Sequence, residues 1–152
     1  KDYAEALLAR ADLYEFMGKP KEAAADLDAL LKMKPDHIAG WERKAGLNLS
    51  QKNTDAALKD LSKAIELKTK NPDTYCLRAD LYISRKNTTE ALGDLNAALK
   101  INPSHAASYQ KRGDIFHAKG DWVNAAADLS TATELGLKNE AIYEKLADCY
   151  YQ

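Results

Sequence analysis

Few residues of this 152-residue sequence could carry chemistry, since it has three histidines and two cysteines. His37 and His105 are interpreted as loop or cap residues, and a lone His117 is more often a polar wall residue than a base or a ligand. Cys76 and Cys149 are too far apart for a C-x-x-C motif. Glycine-rich phosphate loops and the G-x-S-x-G and H-E-x-x-H motifs are absent from the sequence. We therefore expect no catalytic residue, no metal site and no cofactor, and the chain is not expected to be an enzyme.

Charge and hydropathy patterning exclude two classes of partner. With 22 basic and 23 acidic residues the formal net charge is −1, whereas a general nucleic-acid binder needs a cationic face. Charged residues interrupt every apolar stretch before the roughly 18 residues that cross a bilayer. We expect no nucleic-acid partner and no membrane span. The sequence opens at Lys1 without methionine or a visible signal peptide and closes on Gln152 within an amphipathic pattern, which we interpret as an excerpt from a longer protein. We expect a cytoplasmic location.

The dominant pattern is an internal repeat with a period of 34 residues. The repeated pattern is an aromatic residue or leucine, a small residue, a second aromatic residue in most units, an alanine and a leucine. The aligned positions are Leu7, Trp41, Tyr75, Tyr109 and Tyr143; Ala11, Ala45, Ala79, Gly113 and Ala147; Tyr14, Tyr82, Phe116 and Tyr150; Ala23, Ala57, Ala91 and Ala125; and Leu27, Leu61, Leu95 and Leu129. This spacing predicts four units, 4–37, 38–71, 72–105 and 106–139, followed by an extra terminal helix over 140–152.

Each unit has the pattern of two helices. Apolar residues recur at helical spacing on both sides of a turn, which is placed at Gly18, at Gly120 or at the Asn-Thr pairs at 53–54 and 87–88. Pro35 and Pro103 are predicted to end second helices. No strand-like alternation is present, so the sequence predicts an all-α fold. A single hairpin cannot cover its own apolar faces and must stack on the next, which predicts a solenoid whose concave side is lined by first helices.

The order of these residues resembles the tetratricopeptide repeat family, as in Tyr109, Gly113, Phe116, Gly120, Ala125, Leu129 and Ala132. The resemblance covers four full repeats and the first helix of a fifth. It implies a right-handed α-solenoid of antiparallel helix hairpins, and a non-enzymatic scaffold that binds a protein or peptide in its concave groove. Departures from the family pattern occur at Asn48, Leu30 and the Gly136 and Leu137 pair, where we expect looser packing.

Some members of the family grip a C-terminal carboxylate with Lys, Asn and Arg side chains. The corresponding places hold Leu8, Asp12, Arg43, Asp73 and Leu77, and a shift by one or two units does not restore the set. No C-terminal carboxylate clamp is therefore expected.

Charged residues at fixed steps predict two sets of ion pairs. A step of 16 residues joins Arg10 to Asp26, Lys44 to Asp60, Arg78 to Asp94 and Arg112 to Asp128, across each hairpin. A step of 31 residues joins Asp12 to Arg43, Asp80 to Lys111 and Asp114 to Lys145, between neighbouring units. Gly46 and Leu77 occupy the remaining step, where acid and cation are both missing.

The missing charges at Gly46 and Leu77 predict an apolar notch, which is the best candidate for a binding site. The predicted groove residues are Gly46, Leu49, Cys76, Leu77 and Ile83, with Glu42 and Asp73 beside them. Acids without a predicted partner favour a bound segment with apolar anchors and Lys or Arg residues. These acids are Glu5, Glu15, Glu42, Asp73 and Asp148. The alternative is that Leu77 and Ile83 pack against a neighbouring helix. Cys149 is predicted to be a core thiol and Cys76 the more accessible one.

Two other functions stay open at this point. The array could be the recruiting or regulatory arm of an enzyme whose catalytic domain lies outside the sequence. It could also be a homotypic assembly module, in which the apolar face of the last helix docks on a second copy through Ile142, Leu146 and Tyr150.

Overall fold

The structure, a computed structural model, describes the backbone of residues 2–152 and the side chains from Tyr3 onwards. This part of the chain contains nine α-helices and no strand, so the predicted all-α fold class is confirmed. The helices are α1 (Asp2–Phe16), α2 (Pro20–Met33), α3 (Ile38–Ser50), α4 (Thr54–Glu66), α5 (Pro72–Ser84), α6 (Thr88–Ile101), α7 (Ala106–Ala118), α8 (Trp122–Glu134) and α9 (Glu140–Tyr151). Over the same residues, none of the helices has the length and apolar character of a membrane-crossing segment.

The helices group into two compact units, unit 1 up to Thr69 and unit 2 from Lys70. In unit 1, α1 and α2 form one hairpin, α3 and α4 form another, and α2 packs on α3. In unit 2, α5 pairs with α6 and α7 with α8, while α6 packs on α7 and α8 on α9. Each unit therefore repeats one arrangement, in which the second helix of a hairpin covers the first helix of the next.

Small residues lie where the two helices of a hairpin cross. Ala11 and Ala23 are fully buried in the α1–α2 hairpin, and Ala79 and Ala91 are fully buried in the α5–α6 hairpin. A one-carbon side chain lets the helix backbones approach, and a buried leucine such as Leu95 fills the space beside the crossing. The repeated alanines of the sequence thus have a steric cause.

Leu30 packs tightly, so the expectation of looser packing at this residue is wrong. It is fully buried although Ala64 and Ala98 occupy the same place in other hairpins. The extra volume is accommodated by Gly40 on α3, where an added Cβ would lie 3.0 Å from Leu30 Cδ2. This contact therefore combines a large residue, Leu30 on α2, with a glycine on α3. The other repeats combine a small residue at the first position with a larger residue at the second.

The loops between hairpins are of two alternating kinds. Pro35 and Pro103 follow the ends of α2 and α6, as predicted. The helices α4 and α8 instead end before a residue in the left-handed region, Lys68 with φ 63° and Gly136 with φ 97°. Each pair is separated by 68 residues, so the 34-residue repeat lies within a longer period of two hairpins.

The turns inside the hairpins share a left-handed residue. It is Gly18 in the first hairpin and Gly120 in the fourth, with φ 67° and 74°, but Lys52 and Lys86 in the other two, each with φ 62°. The turn therefore falls one residue before the Asn-Thr pairs at 53–54 and 87–88, which begin the next helix. A side chain in this conformation costs about 1 kcal/mol relative to glycine, so Lys52 and Lys86 are strained positions.

Candidate functional site

Three of the four predicted cross-hairpin pairs are present, and each guanidinium donates two hydrogen bonds to one carboxylate. The N···O distances are 2.6 and 2.6 Å for Arg10 and Asp26, 2.8 and 2.7 Å for Arg78 and Asp94, and 2.7 and 2.8 Å for Arg112 and Asp128. The three aspartates are buried. The hydrogen bonds from Arg10 hold the pKa of Asp26 below its usual range. These pairs are structural, because they lie between the helices of one hairpin.

The predicted pair of Lys44 with Asp60 is wrong. Lys44 Nζ lies 2.7 Å from Asp28 Oδ1, and Asp60 Oδ2 instead accepts a hydrogen bond of 2.7 Å from Asn48 Nδ2. The ammonium group of lysine lacks the planar fork with which arginine engages a carboxylate. Asn48, which stands where other repeats carry an aromatic residue, supplies the donor instead. A neutral amide cannot offset the loss of hydration, so burial raises the pKa of Asp60.

The opposite pKa shifts of Asp60 and Asp26 predict opposite effects of substitution. The folded-state pKa of Asp60 lies above its unfolded value, so the charged carboxylate opposes folding at pH 7 and this cost disappears as the pH falls below about 4. We expect Asp60→Asn to raise the free energy of unfolding at pH 7 by up to about 1 kcal/mol. Asp26→Asn should lower the free energy of unfolding at pH 7. The folded-state pKa of Asp26 lies below its unfolded value, so its charged carboxylate stabilises the fold at pH values above the unfolded pKa. Urea unfolding at pH 7 and pH 4 measures both, and a loss for Asp60→Asn as large as that for Asp26→Asn contradicts the assignment.

The predicted pairs between successive hairpins are confirmed. Asp12 and Arg43 lie 3.1 Å apart in unit 1. In unit 2, Lys111 Nζ lies 2.7 Å from Asp80, and Lys145 Nζ lies 2.6 Å from Asp114. Charges on the first helices are thus largely used within each unit.

The predicted groove residues have different environments. On α3, Gly46 is exposed, with open space where a Cβ would lie, and Leu49 is half-buried. On α5, Leu77 is 38% exposed and Ile83 is 39% exposed. Gly46 belongs to unit 1 and Leu77 to unit 2. That they form one notch stays a prediction.

Cys76 does not belong to an exposed groove, and the prediction of an accessible thiol is wrong. Only 4% of the residue is exposed, its Sγ lies 3.9 Å from Ser108 Oγ, and burial raises the pKa of the thiol. Cys149 is buried as predicted. Both thiols are therefore protected from solvent.

Four of the five acids that the sequence leaves without partners lie beside a polar side chain in the structure. Glu5 contacts His37 Nε2 at 3.3 Å, Asp73 contacts His105 Nε2 at 3.0 Å, and Asp148 lies 3.4 Å from His117 Nε2. Glu42 accepts a hydrogen bond of 2.7 Å from Thr69 Oγ1. The fifth acid is Glu15, and burial raises the pKa of its carboxyl group.

His37 and His105 occupy helix N-cap positions, as predicted. His37 Nδ1 accepts a hydrogen bond of 3.0 Å from the Gly40 amide, and His105 Nδ1 lies 2.8 Å from Ser108 Oγ. Among the side chains of residues 3–152, no group of three or more His, Cys, Asp or Glu residues is arranged to hold a metal ion.

A groove of about 510 Å³ opens in unit 2 beside the C-terminal ends of α5 and α7. We call it the α5–α7 groove. Its lining residues are Asp80, Ile83, Lys86, Thr88, Lys111, Asp114, Ile115, Ala118 and Lys119. Sequence reasoning identified Ile83 as a groove residue and missed the rest, although the 34-residue alignment places Ala118 and Lys119 beside a turn equivalent to that of Lys86.

The comparisons agree with this architecture. The tetratricopeptide repeat family model matches residues 8–72 and 76–140. No curated protein matches the sequence significantly. The crystal structure of MamA protein is similar, with 16% identity and a TM-score of 0.87 over 99% of this chain and 82% of that one.

Two further solved structures of the same kind carry peptide-binding descriptions. YrrB, a TPR protein with an unusual peptide-binding site, has 15% identity and a TM-score of 0.83, covering 95% of this chain and 75% of that one. The first TPR of Spaghetti (RPAP3), bound to the HSP90 peptide SRMEEVD, has 24% identity and a TM-score of 0.68, covering 75% and 90%. These likenesses show the fold, and the family model covers most of the sequence. The chain belongs to the tetratricopeptide repeat family.

Proposed function

We propose that this chain is a protein-binding module that holds a segment of a partner protein on the first helices of unit 2. Members of its family are generally non-enzymatic interaction modules. The observation that carries the proposal is the α5–α7 groove, because a cavity with an apolar floor between repeated helices suits a protruding side chain. Peptide binding by structurally similar proteins, YrrB and the first TPR of RPAP3, supports the same use of this chain.

The proposed apolar anchors are Ile83, which lines the groove, and Leu77, which lies outside its lining on the same helix. They are six residues apart on α5, and more than a third of each is exposed. Across the groove, Ile115 and Ala118 of α7 add apolar surface. A few such anchors supply most of the binding energy in groove recognition.

A polar contact is proposed at the N-terminal end of α5, and further contacts are proposed separately on α3. The side chain of Asp73 remains 70% exposed beside His105, so a basic residue of the partner fits there. On α3, Gly46, Leu49 and Glu42 remain proposed contacts within unit 1, where the exposed backbone at Gly46 leaves room for a partner.

Leu77→Asp is expected to abolish binding of peptides that are selected on the wild-type chain from a displayed random library. The melting temperature should stay nearly unchanged, because Leu77 is already 38% exposed. Affinity is measured by fluorescence anisotropy and folding by circular dichroism. Val123→Asp is the matched control, since Val123 is 81% exposed and lies on α8, outside the first helices that the proposal uses. A folded Leu77→Asp variant that binds as tightly as Val123→Asp contradicts the proposal.

Self-association through α9 is a second candidate function. Tyr143 and Tyr150 are 50% and 73% exposed, and Ala147 is exposed although the equivalent Ala79 is fully buried. Ile142, which the sequence places on this face, is instead fully buried. Leu146 stands where the other hairpins carry Arg10, Lys44, Arg78 and Arg112. Sedimentation at several concentrations tests this candidate, and a strict monomer removes it. A recruiting role within a larger enzyme would use the same α5–α7 groove.

A further inference from the structure

The charges that line the α5–α7 groove are not balanced. Asp80 pairs with Lys111 and Asp114 with Lys145, so these four charges cancel in two pairs. Lys86 and Lys119 also line the groove, and neither makes an ion pair in the part of the chain that the structure describes. Two positive charges therefore stand beside the apolar floor without a counter-charge.

Lys86 is also held in a conformation that lysine does not favour. Its φ is 62°, and the first and fourth hairpins place Gly18 and Gly120 at the same position of the turn. Glycine adopts this conformation without strain. Lys52 has the same φ away from the groove, so this conformation only fixes where the Lys86 side chain leaves the turn.

We infer that the α5–α7 groove binds an acidic, apolar segment of a partner protein, with side-chain carboxylates at Lys86 and Lys119 and an apolar side chain over Ile83, Ile115 and Ala118. This inference rests on the proposed function and adds the charge of the partner at this end of the groove. The carboxylates belong to internal Asp or Glu residues of the segment. The two lysines lie at helix ends and turns, outside the positions at which a C-terminal carboxylate clamp is built.

The test is selection of random 12-residue peptides, displayed with a blocked C-terminus, on the wild-type chain. Enriched sequences are expected to combine a large apolar residue with Asp or Glu. A selected peptide is then synthesised with an amidated C-terminus and its affinity is measured by fluorescence anisotropy. Lys86→Gly should weaken binding about two- to five-fold, and the double variant with Lys119→Ser about five- to twenty-fold. Binding should also weaken as salt rises, since the charges are exposed.

Lys52→Gly is the matched control for Lys86→Gly. Lys52 has the same φ of 62° in the equivalent turn of unit 1 and does not line the groove. Both substitutions relieve the same backbone strain, so both variants should melt slightly higher than the wild type. Only Lys86→Gly should lose affinity, which separates a lost contact from a lost fold.

The outcomes distinguish the inference from the proposed function. Enriched peptides without acids, or equal affinities of the Lys86→Gly and Lys52→Gly variants, overturn the inference. The proposed function survives that result if Leu77→Asp still abolishes binding. A selection that enriches nothing, or only peptides that are insensitive to Leu77→Asp, overturns both.

Discussion

Arg78→Met is expected to lower the free energy of unfolding by about 2–4 kcal/mol. Methionine retains the apolar stem of the side chain but removes both hydrogen bonds to Asp94, whose carboxylate is buried. The loss falls somewhat below that of a fully buried pair, because the side chain of Arg78 is 18% exposed. Urea unfolding at pH 7, followed by circular dichroism, measures the change.

Lys44→Met is the matched control in the second hairpin. It occupies the equivalent position, but its partner is Asp28, whose side chain is 61% exposed, and Asp60 keeps its hydrogen bond from Asn48. A surface pair contributes about 0–1 kcal/mol, so the loss should be at most that large. Equal losses for Arg78→Met and Lys44→Met would contradict the different roles that the structure gives these residues.

Ala91→Leu is expected to destabilise the protein by about 1–3 kcal/mol. Ala91 is fully buried in the α5–α6 hairpin, in one cluster with Ala79 and Leu95. Three additional carbons have no space where the two helices cross, so the side chain must displace its neighbours or separate the helices. The midpoint of urea unfolding reports the change.

Gly93→Ala separates this steric effect from a general effect of larger side chains on α6. Gly93 is exposed on the same helix, and an added Cβ there would meet nothing within 4 Å. Alanine is the better helix former, so this variant should gain about 0.5–1 kcal/mol. Changes of the same sign in both variants would show that burial at Ala91 does not control the result.

The fold could be predicted because every hairpin repeats the same residue classes at the same spacing. The prediction of the cross-hairpin ion pairs failed at Lys44, since it treated lysine and arginine as equivalent and took Asn48 only as a departure from the pattern. The packing of Leu30 against Gly40 was missed for a related reason. Leu30 and Gly40 lie on different helices and fit each other in size. Either residue considered alone is only a departure from the repeat pattern.

The candidate site could be predicted only in part. The exposure of Leu77 and Ile83 follows from their place on α5, whereas Cys76 lies one residue away and is turned by about 100° towards the core. Lys86 was missed because a left-handed turn residue is not evident from a single hairpin. Alignment of Lys86 with Gly18 and Gly120 contains that signal.

The leucine at position 146 has a consequence for what can cover α9. In three hairpins the arginine at this place neutralises an aspartate that the covering helix brings into the interior. A helix with an aspartate at that register would bury an uncompensated negative charge against Leu146, at a cost of several kcal/mol. We therefore expect α9 to be covered by a helix that is neutral at this position, and not by a close copy of α2, α4, α6 or α8, each of which carries an aspartate there.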